Sequence, residues 1–164
     1  MAHYSLGTVL ARLGKQAEAA RYLARVDSLR QIEESIDTFE RRTRLYPDDP
    51  AAWVTYGYAL SRAGRTAEAI RAFQVALYKG PATPDVHILL ANAYLKRDQL
   101  EEALAHYDAV LQLDASFAGA WVNKGICLAR MGRPEAARQA WETALRLNPD
   151  QPRAREYLAG LTAP

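Results

Sequence analysis

WVNKGICLARMGRPEAARQAWETALRLNP, from Trp121 to Pro149, reads as two amphipathic helices joined at Met131-Gly132-Arg133 and stopped at Pro149. Gly132 suits the left-handed residue that ends a helix, and Pro134 suits the first turn of the next, where a backbone N–H would go unused. Gly125 falls inside the first helix. Glycine there costs about 1 kcal/mol relative to alanine, so a close contact with another helix must compensate. Ala137 supplies a matching small surface on the second helix, and Trp141, one turn on, fills the space beside it.

The pattern recurs upstream at one fixed step: Trp121, His87 and Trp53 fall in register, as do Gly125, Ala91 and Gly57. Leu128, Tyr94 and Leu60 form a further column, and Gly132, Asp98 and Gly64 another. On the second helices the columns are Ala137, Ala103 and Ala69; Trp141, Tyr107 and Phe73; and Ala144, Val110 and Ala76. Pro149, Ala115 and Pro81 close the frame. Together these columns resemble the tetratricopeptide repeat, whose signature runs W-x2-L-G-x2-Y, then A-x3-F, then P, over about 34 residues. The chief departure is Lys124, in a column where the family has an apolar residue, and local packing is expected to loosen there. The resemblance implies an all-α fold, a right-handed superhelical α-solenoid of antiparallel helix pairs.

Outward from this frame, residues 50–83, 84–117 and 118–151 form three repeats, and residues 1–30 form a repeat-like N-terminal unit with Leu6, Gly7, Leu10, Gly14, Ala19 and Leu23 in signature columns. Residues 152–164 begin like another first helix but carry Arg153, Arg155 and Glu156, as suits a polar cap on the end of a solenoid. Periodicity breaks between Gly7 and Gly57, which are 50 residues apart, 16 more than one repeat. Residues 31–49 are therefore an extra or extended helix and linker. No Gly or Pro interrupts Gln16 to Tyr46, and Leu23, Val26, Leu29, Ile32, Ile36 and Phe39 keep helical spacing. One long helix fits, and so do two, because Asp27 or Ser28 can cap a new one with Gln31 as a weak capping box. Phe39 and Pro47 also sit as in the second helix of a repeat.

Composition excludes several classes of function. Twenty-one basic against nineteen acidic residues give a net charge of +2, with no pull toward nucleic acid or an anionic membrane. No run approaches the roughly 20 apolar residues of a membrane span, and the N-terminus lacks the flanks of a signal peptide. The cytoplasm is the default compartment, and the periplasm stands if a signal or anchor was removed from a longer parent. One cysteine, Cys127, excludes a disulfide framework and reads as a packing residue. His3, His87 and His106 are far apart in sequence and also read as packing residues. No metal, nucleotide or haem motif is present, so neither a cofactor nor an enzyme activity is expected. The acidic pairs Glu33-Glu34, Asp48-Asp49 and Glu101-Glu102 read as solvated faces rather than acid and base, since adjacent helical residues point apart.

In a tetratricopeptide array the first helices line the concave surface. The resemblance therefore implies a peptide-binding groove of Tyr4, Thr8, Arg12, Thr55, Tyr58, Arg62, Ile88, Asn92, Lys96, Asn123, Ile126 and Arg130. Arg12, Arg62, Lys96 and Arg130 share a column, a basic row able to attract an acidic segment, although a cation in the last turn of a helix is also favoured by the helix dipole. Asn92 and Asn123 offer donor and acceptor to a bound backbone, and Tyr58 a flat anchor with a polar tip. Some members of the family hold acidic C-termini with a two-carboxylate clamp of Lys, Asn, Asn, Lys and Arg. Asn92, Asn123 and Arg153 match three of those places, but Ile88 and Tyr157 replace the other two, which disfavours such a tail and points to a more apolar segment. The expected function is a non-enzymatic scaffold for an extended or helical segment of another protein. Two alternatives stand beside it: a scaffold that self-assembles through the long helix or the array ends, and a regulatory fragment of a larger enzyme.

Overall fold

Sharp turns set the architecture, and each needs a residue in the left-handed region. Gly14 (φ 76°), Gly64 (φ 79°) and Gly132 (φ 72°) supply it, and Asp98 (φ 61°) does so where no glycine is present. The computed structural model describes residues 2–162, and the side chains of residues 6–161. Within them lie α1 (Ala2–Arg12), α2 (Gln16–Leu45), α3 (Pro50–Arg62), α4 (Thr66–Lys79), α5 (Pro84–Lys96), α6 (Leu100–Leu113), α7 (Ala118–Arg130), α8 (Pro134–Leu147) and α9 (Pro152–Thr162). No strand occurs among the described residues. The pairs α3–α4, α5–α6 and α7–α8 are antiparallel hairpins, and each packs on the next in chain order to give a right-handed superhelical α-solenoid.

The glycine columns mark where paired helices touch. A Cβ on Gly57 would lie 2.5 Å from the Phe73 ring, and one on Gly125 only 2.2 Å from Trp141 Nε1. The same relation holds at the N-terminus, where a Cβ on Gly7 would lie 2.6 Å from Leu23 Cδ2. In all three pairs the glycine faces the residue sixteen positions on, so α1 packs on the start of α2 as α3 packs on α4. Phe73, Tyr107 and Trp141 are almost fully buried beside Ala69, Ala103 and Ala137, which have no exposed surface. Trp53 Nε1 donates to the Pro47 carbonyl (2.9 Å) and Trp121 Nε1 to that of Ala115 (3.0 Å), tying each first helix to the linker before it.

Lys124 has partners of its own on α6 and α7, and with Leu104, Asp108 and Trp121 it lines an open cleft of about 400 Å³. Its ammonium lies 2.6 Å from the Asp108 carboxylate on α6 and 5.1 Å from the centre of the Trp121 ring, so a cation paired twice takes the place of an apolar contact.

Helix α2 is unbroken over 30 residues, which settles the choice left open between Gln16 and Tyr46. Asp27 does not cap a new helix; its carboxylate lies 3.1 Å from Arg30. The bounds of α2 are informative. Gln16 stands one repeat step before Pro50, where α3 starts, and Leu45 stands the same step before Lys79, where α4 ends. The helix therefore occupies one whole repeat unit, and the residue in register with Gly64 is Arg30. Arginine disfavours the left-handed turn but favours the helix, and here Asp27 three residues before it and Glu34 four after (3.8 Å) hold it in helical geometry. A repeat that would otherwise fold back is straightened into a rod, about 45 Å long at 1.5 Å per residue. Its start serves as partner to α1 and its end as partner to α3.

At the other terminus, α9 inserts Ala154 with no exposed surface and stacks Tyr157 on Trp141, with ring centres 5.1 Å apart. Arg153, Arg155 and Glu156 face solvent.

Candidate functional site

The first helices α5 and α7 bring the two asparagines of the expected groove into contact. Asn123 Nδ2 donates to Asn92 Oδ1 at 3.2 Å, and the same oxygen accepts the buried Tyr107 hydroxyl at 2.5 Å. Burial raises the Tyr107 phenol above its ordinary range, so it remains a donor. With Asn92 Oδ1 taken twice, the Asn92 amide N–H groups and Asn123 Oδ1 stay available on the exposed side. One donor and one acceptor on neighbouring turns match an extended backbone.

A cleft of about 130 Å³ opens beside this pair, lined by Ile88, Phe117, Val122, Asn123, Gln151 and Arg153 among others. Its floor is apolar at Ile88 and Val122 and its rim carries the Arg153 guanidinium, which sits 5.9 Å from the centre of the Tyr157 ring. Phe117, Gln151 and Arg153 lie on linkers or on α9, outside the columns of first-helix residues, which is why reading those columns misses two of them. Arg153 was legible only through the clamp pattern.

The remaining expected residues spread along the array. Arg130 is bound to Asp98 at 2.6 Å and to the Leu95 carbonyl at 3.4 Å, so this cation of the basic row ties α7 to the preceding repeat. Lys96, Arg62 and Arg12 are exposed, and Ile126 is half-buried. The Thr55 hydroxyl donates back to its own helix at the Ala51 and Ala52 carbonyls (3.0 and 2.9 Å) and presents little to a ligand. Tyr58 is 55% exposed and shares a second, separate groove with Arg62, Ile32, Ser35 and Phe39, where α3 meets α2. Thr8 is exposed on α1, and the Tyr4 and His3 side chains lie outside the described residues.

Three titratable groups, Cys127, His87 and His106, are wholly or partly buried in the packing of the repeats. Cys127 has no exposed surface, and burial pushes its thiol up to about 11, far from a reactive thiolate. His87 and His106 face each other across the α5–α6 hairpin with Nδ1 atoms 2.9 Å apart, and Tyr94 stacks on His106 at 5.6 Å. Burial lowers both imidazoles, and for His106 the neighbouring His87 lowers it further. The pair has a packing origin. His87 replaces the tryptophan of its column, and His106 replaces the alanine found at Ala72 and Ala140, so volume lost on one helix is regained on the other. No group of three or more metal-ligating side chains occurs among the described residues. No helix there is long and apolar enough to cross a membrane.

Models of the tetratricopeptide repeat match residues 1–25, 27–85, 60–111 and 90–159, which together run almost the length of the chain. The chain belongs to the tetratricopeptide repeat family. The boundary between the first two matches falls within α2, where the tetratricopeptide frame is straightened. Among curated relatives, the Arabidopsis thaliana protein CTR9 homolog is 26% identical over 147 residues, covering 89% of this chain and 13% of that protein. The chain spans 13–15% of the length of the first such relatives. Among solved structures, a crystal structure of MamA has a TM-score of 0.74 at 16% identity, over 94% of this chain and 81% of that one. The second tetratricopeptide domain of human RPAP3, solved in complex with the HSP70 peptide SGPTIEEVD, has a TM-score of 0.65 at 24% identity, over 70% of this chain and 99% of that one. At these identities the likeness to the two structures is one of fold.

Proposed function

We propose that the chain is a non-enzymatic interaction module that holds an extended or helical segment of another protein along the first helices of its tetratricopeptide repeats. The observation that carries this reading is the bonded Asn92–Asn123 pair, which leaves an amide donor and an amide acceptor on show beside an apolar cleft. A segment laid across α5 and α7 satisfies both groups with one stretch of its own backbone and places one side chain over Ile88. That side chain is apolar, because Ile88 and Val122 line the floor and only Arg153 offers a charge. The peptide complex of the RPAP3 domain supports a protein segment as the ligand class. The two replaced clamp positions, Ile88 and Tyr157, argue against an acidic chaperone tail as this chain's own ligand.

The test is selection of a random-peptide display library on the immobilised chain, followed by N92A and N123A together. Enriched peptides are expected to carry an apolar anchor and to lose at least about tenfold in affinity on the double variant, while the helical circular dichroism stays unchanged. Peptides that bind the double variant as tightly as the unaltered chain would place the site elsewhere.

A further inference from the structure

In the three complete hairpins, a small residue and an aromatic residue of the second helix lie beneath the first helix of the same repeat. They are Ala69 and Phe73, Ala103 and Tyr107, and Ala137 and Trp141, none more than 3% exposed. One repeat step upstream, on α2, stand Ser35 and Phe39, and both are only half-buried. The first helix that would cover them is missing, because the chain before Ser35 runs on as a rod instead of folding back. Nor does α1 take its place. Gly7 faces Leu23, so antiparallel pairing brings Ala2, where α1 starts, level with Ser28, one turn short of Ile32. Two adjoining hollows mark the gap, one of about 230 Å³ against Tyr58 and Arg62 of α3 and one of about 310 Å³ along the flank of α2. Ser35 and Phe39 line both.

A charge at the end of the gap narrows what can fill it. Arg130 is held by the Asp98 carboxylate (2.6 Å) and the Leu95 carbonyl (3.4 Å), which lie at the C-terminal end of α5, the first helix of the preceding repeat. Arg62 stands two repeat steps earlier in the same column and is exposed, with no ion-pair partner among the described residues. No first helix ends beside it, and the residue in register with Asp98 is Arg30, inside the rod. The guanidinium of Arg62 therefore lacks the anion that its counterpart receives from a first helix.

We propose that this gap takes an amphipathic helix of another protein, seated as the first helix of a repeat sits. It runs antiparallel to α2 and parallel to α3, with a glycine or alanine over Phe39 and an acidic residue at its C-terminal end against Arg62. The small residue is needed because the places that sit on Phe73, Tyr107 and Trp141 are held by Gly57, Ala91 and Gly125. No uncommitted helix of a second copy meets both terms. The first half of α2 has Leu23 in the small-residue place, α1 contains no acidic residue, and α9 is seated on α8 through Ala154 and Tyr157. The gap is separate from the Asn92–Asn123 pair, so either reading can fail alone.

The test uses the full chain and one probe, a fluorescein-labelled peptide of residues 84–98 constrained as a helix through its solvent-facing side. This probe carries Ala91 and Asp98, and it is constrained because a free helix so short is marginal in water. Saturable binding is expected in an anisotropy titration, weakened at least about tenfold by R62E. A probe with Asp98→Lys is expected to bind R62E better than it binds the unaltered chain, since the charges are then exchanged. Ala91→Leu in the probe and Ser35→Tyr in the chain each fill the gap, and each is expected to abolish binding, whereas N92A and N123A together leave it unchanged. Circular dichroism checks the fold, and R62E, at an exposed position, decides the matter should S35Y unfold the chain. No binding at roughly 100 µM overturns the proposal. So does binding that R62E leaves intact, or binding that the double asparagine variant removes. Self-association of the full chain that S35Y abolishes would make a second copy the occupant and would also overturn it.

Discussion

Helix α2, from Gln16 to Leu45, and the hairpin α3–α4, from Pro50 to Lys79, take up equal lengths of chain in one repeat frame, yet one is a rod and the other folds back on itself. The contrast turns on few residues. Gly64 takes the left-handed turn with φ 79°, whereas Arg30, in register with it, is held between Asp27 and Glu34. Small residues also differ: Gly57 and Ala69 allow α3 and α4 to touch, and Leu23 and Ser35 stand in their places. Burial follows. In α4, six of 14 residues are buried, but in α2 only three of 30 are. A repeat frame in the sequence is thus not enough to make a hairpin; the turn must be cheap and the facing surfaces small.

The comparison is sharpened first in the cores. Phe73→Ala is expected to cost about 3–5 kcal/mol in chemical denaturation, because the ring is 1% exposed and fills the α3–α4 contact. Leu29→Ala, at an exposed position of α2, is expected to change stability by no more than about 0.5 kcal/mol. Equal losses at the two sites would remove the distinction between rod and hairpin.

Next come the close contacts. Gly125→Ala is expected to cost about 1–3 kcal/mol, since the new methyl meets the Trp141 indole, which is itself fixed by its hydrogen bond to the Val122 carbonyl (3.0 Å). Gly7→Ala is expected to cost less. The atom it meets is the far end of the flexible Leu23 side chain, and alanine brings about 1 kcal/mol of helix propensity.

The turn itself can be exchanged. Gly64→Arg is expected to destabilise by about 1–2 kcal/mol through left-handed strain. Arg30→Gly is expected to cost about 1 kcal/mol of helix propensity and to speed amide hydrogen exchange around Leu29.

The smallest effect is one of pH. Burial lowers the folded pKa of His87 and His106 below the unfolded value of 6.5, so the unfolded chain binds more protons there. Their contribution is complete above that value and declines as pH falls below it. Denaturation midpoints are expected to drop between pH 7.5 and pH 5, and the His87→Gln and His106→Gln double variant to flatten the slope.

Much of the fold was legible because hairpins recur: columns of glycine, alanine and aromatic residues at one period admit few other structures. Length and break in α2 were not, since Asp27 is equally suited to capping a helix and to pairing with Arg30 inside one. The contact between Asn92 and Asn123 was not legible from the columns, since the two are 31 residues apart, three short of the repeat step, and stand in different columns of successive first helices. Phe117 and Gln151 escaped notice because linker residues follow no column. Nor was the His87–His106 contact read in advance, since an exchange of volume between two helices leaves each column merely irregular when viewed alone. The Lys124 charge likewise finds its partner, Asp108, only when α6 and α7 are set side by side.

The claim on which all this depends is that residues 16–45 form one continuous helix, and spin-label distances test it most directly. With Cys127→Ser removing the native thiol, labels at Glu18→Cys and Arg44→Cys span 26 residues, which is about 39 Å along a single rod at 1.5 Å per residue. A narrow distribution near that distance is predicted. A distribution centred at the roughly 8–10 Å spacing of paired helices, widened by the label arms, would show that residues 16–45 fold back like the other repeats and would contradict the account.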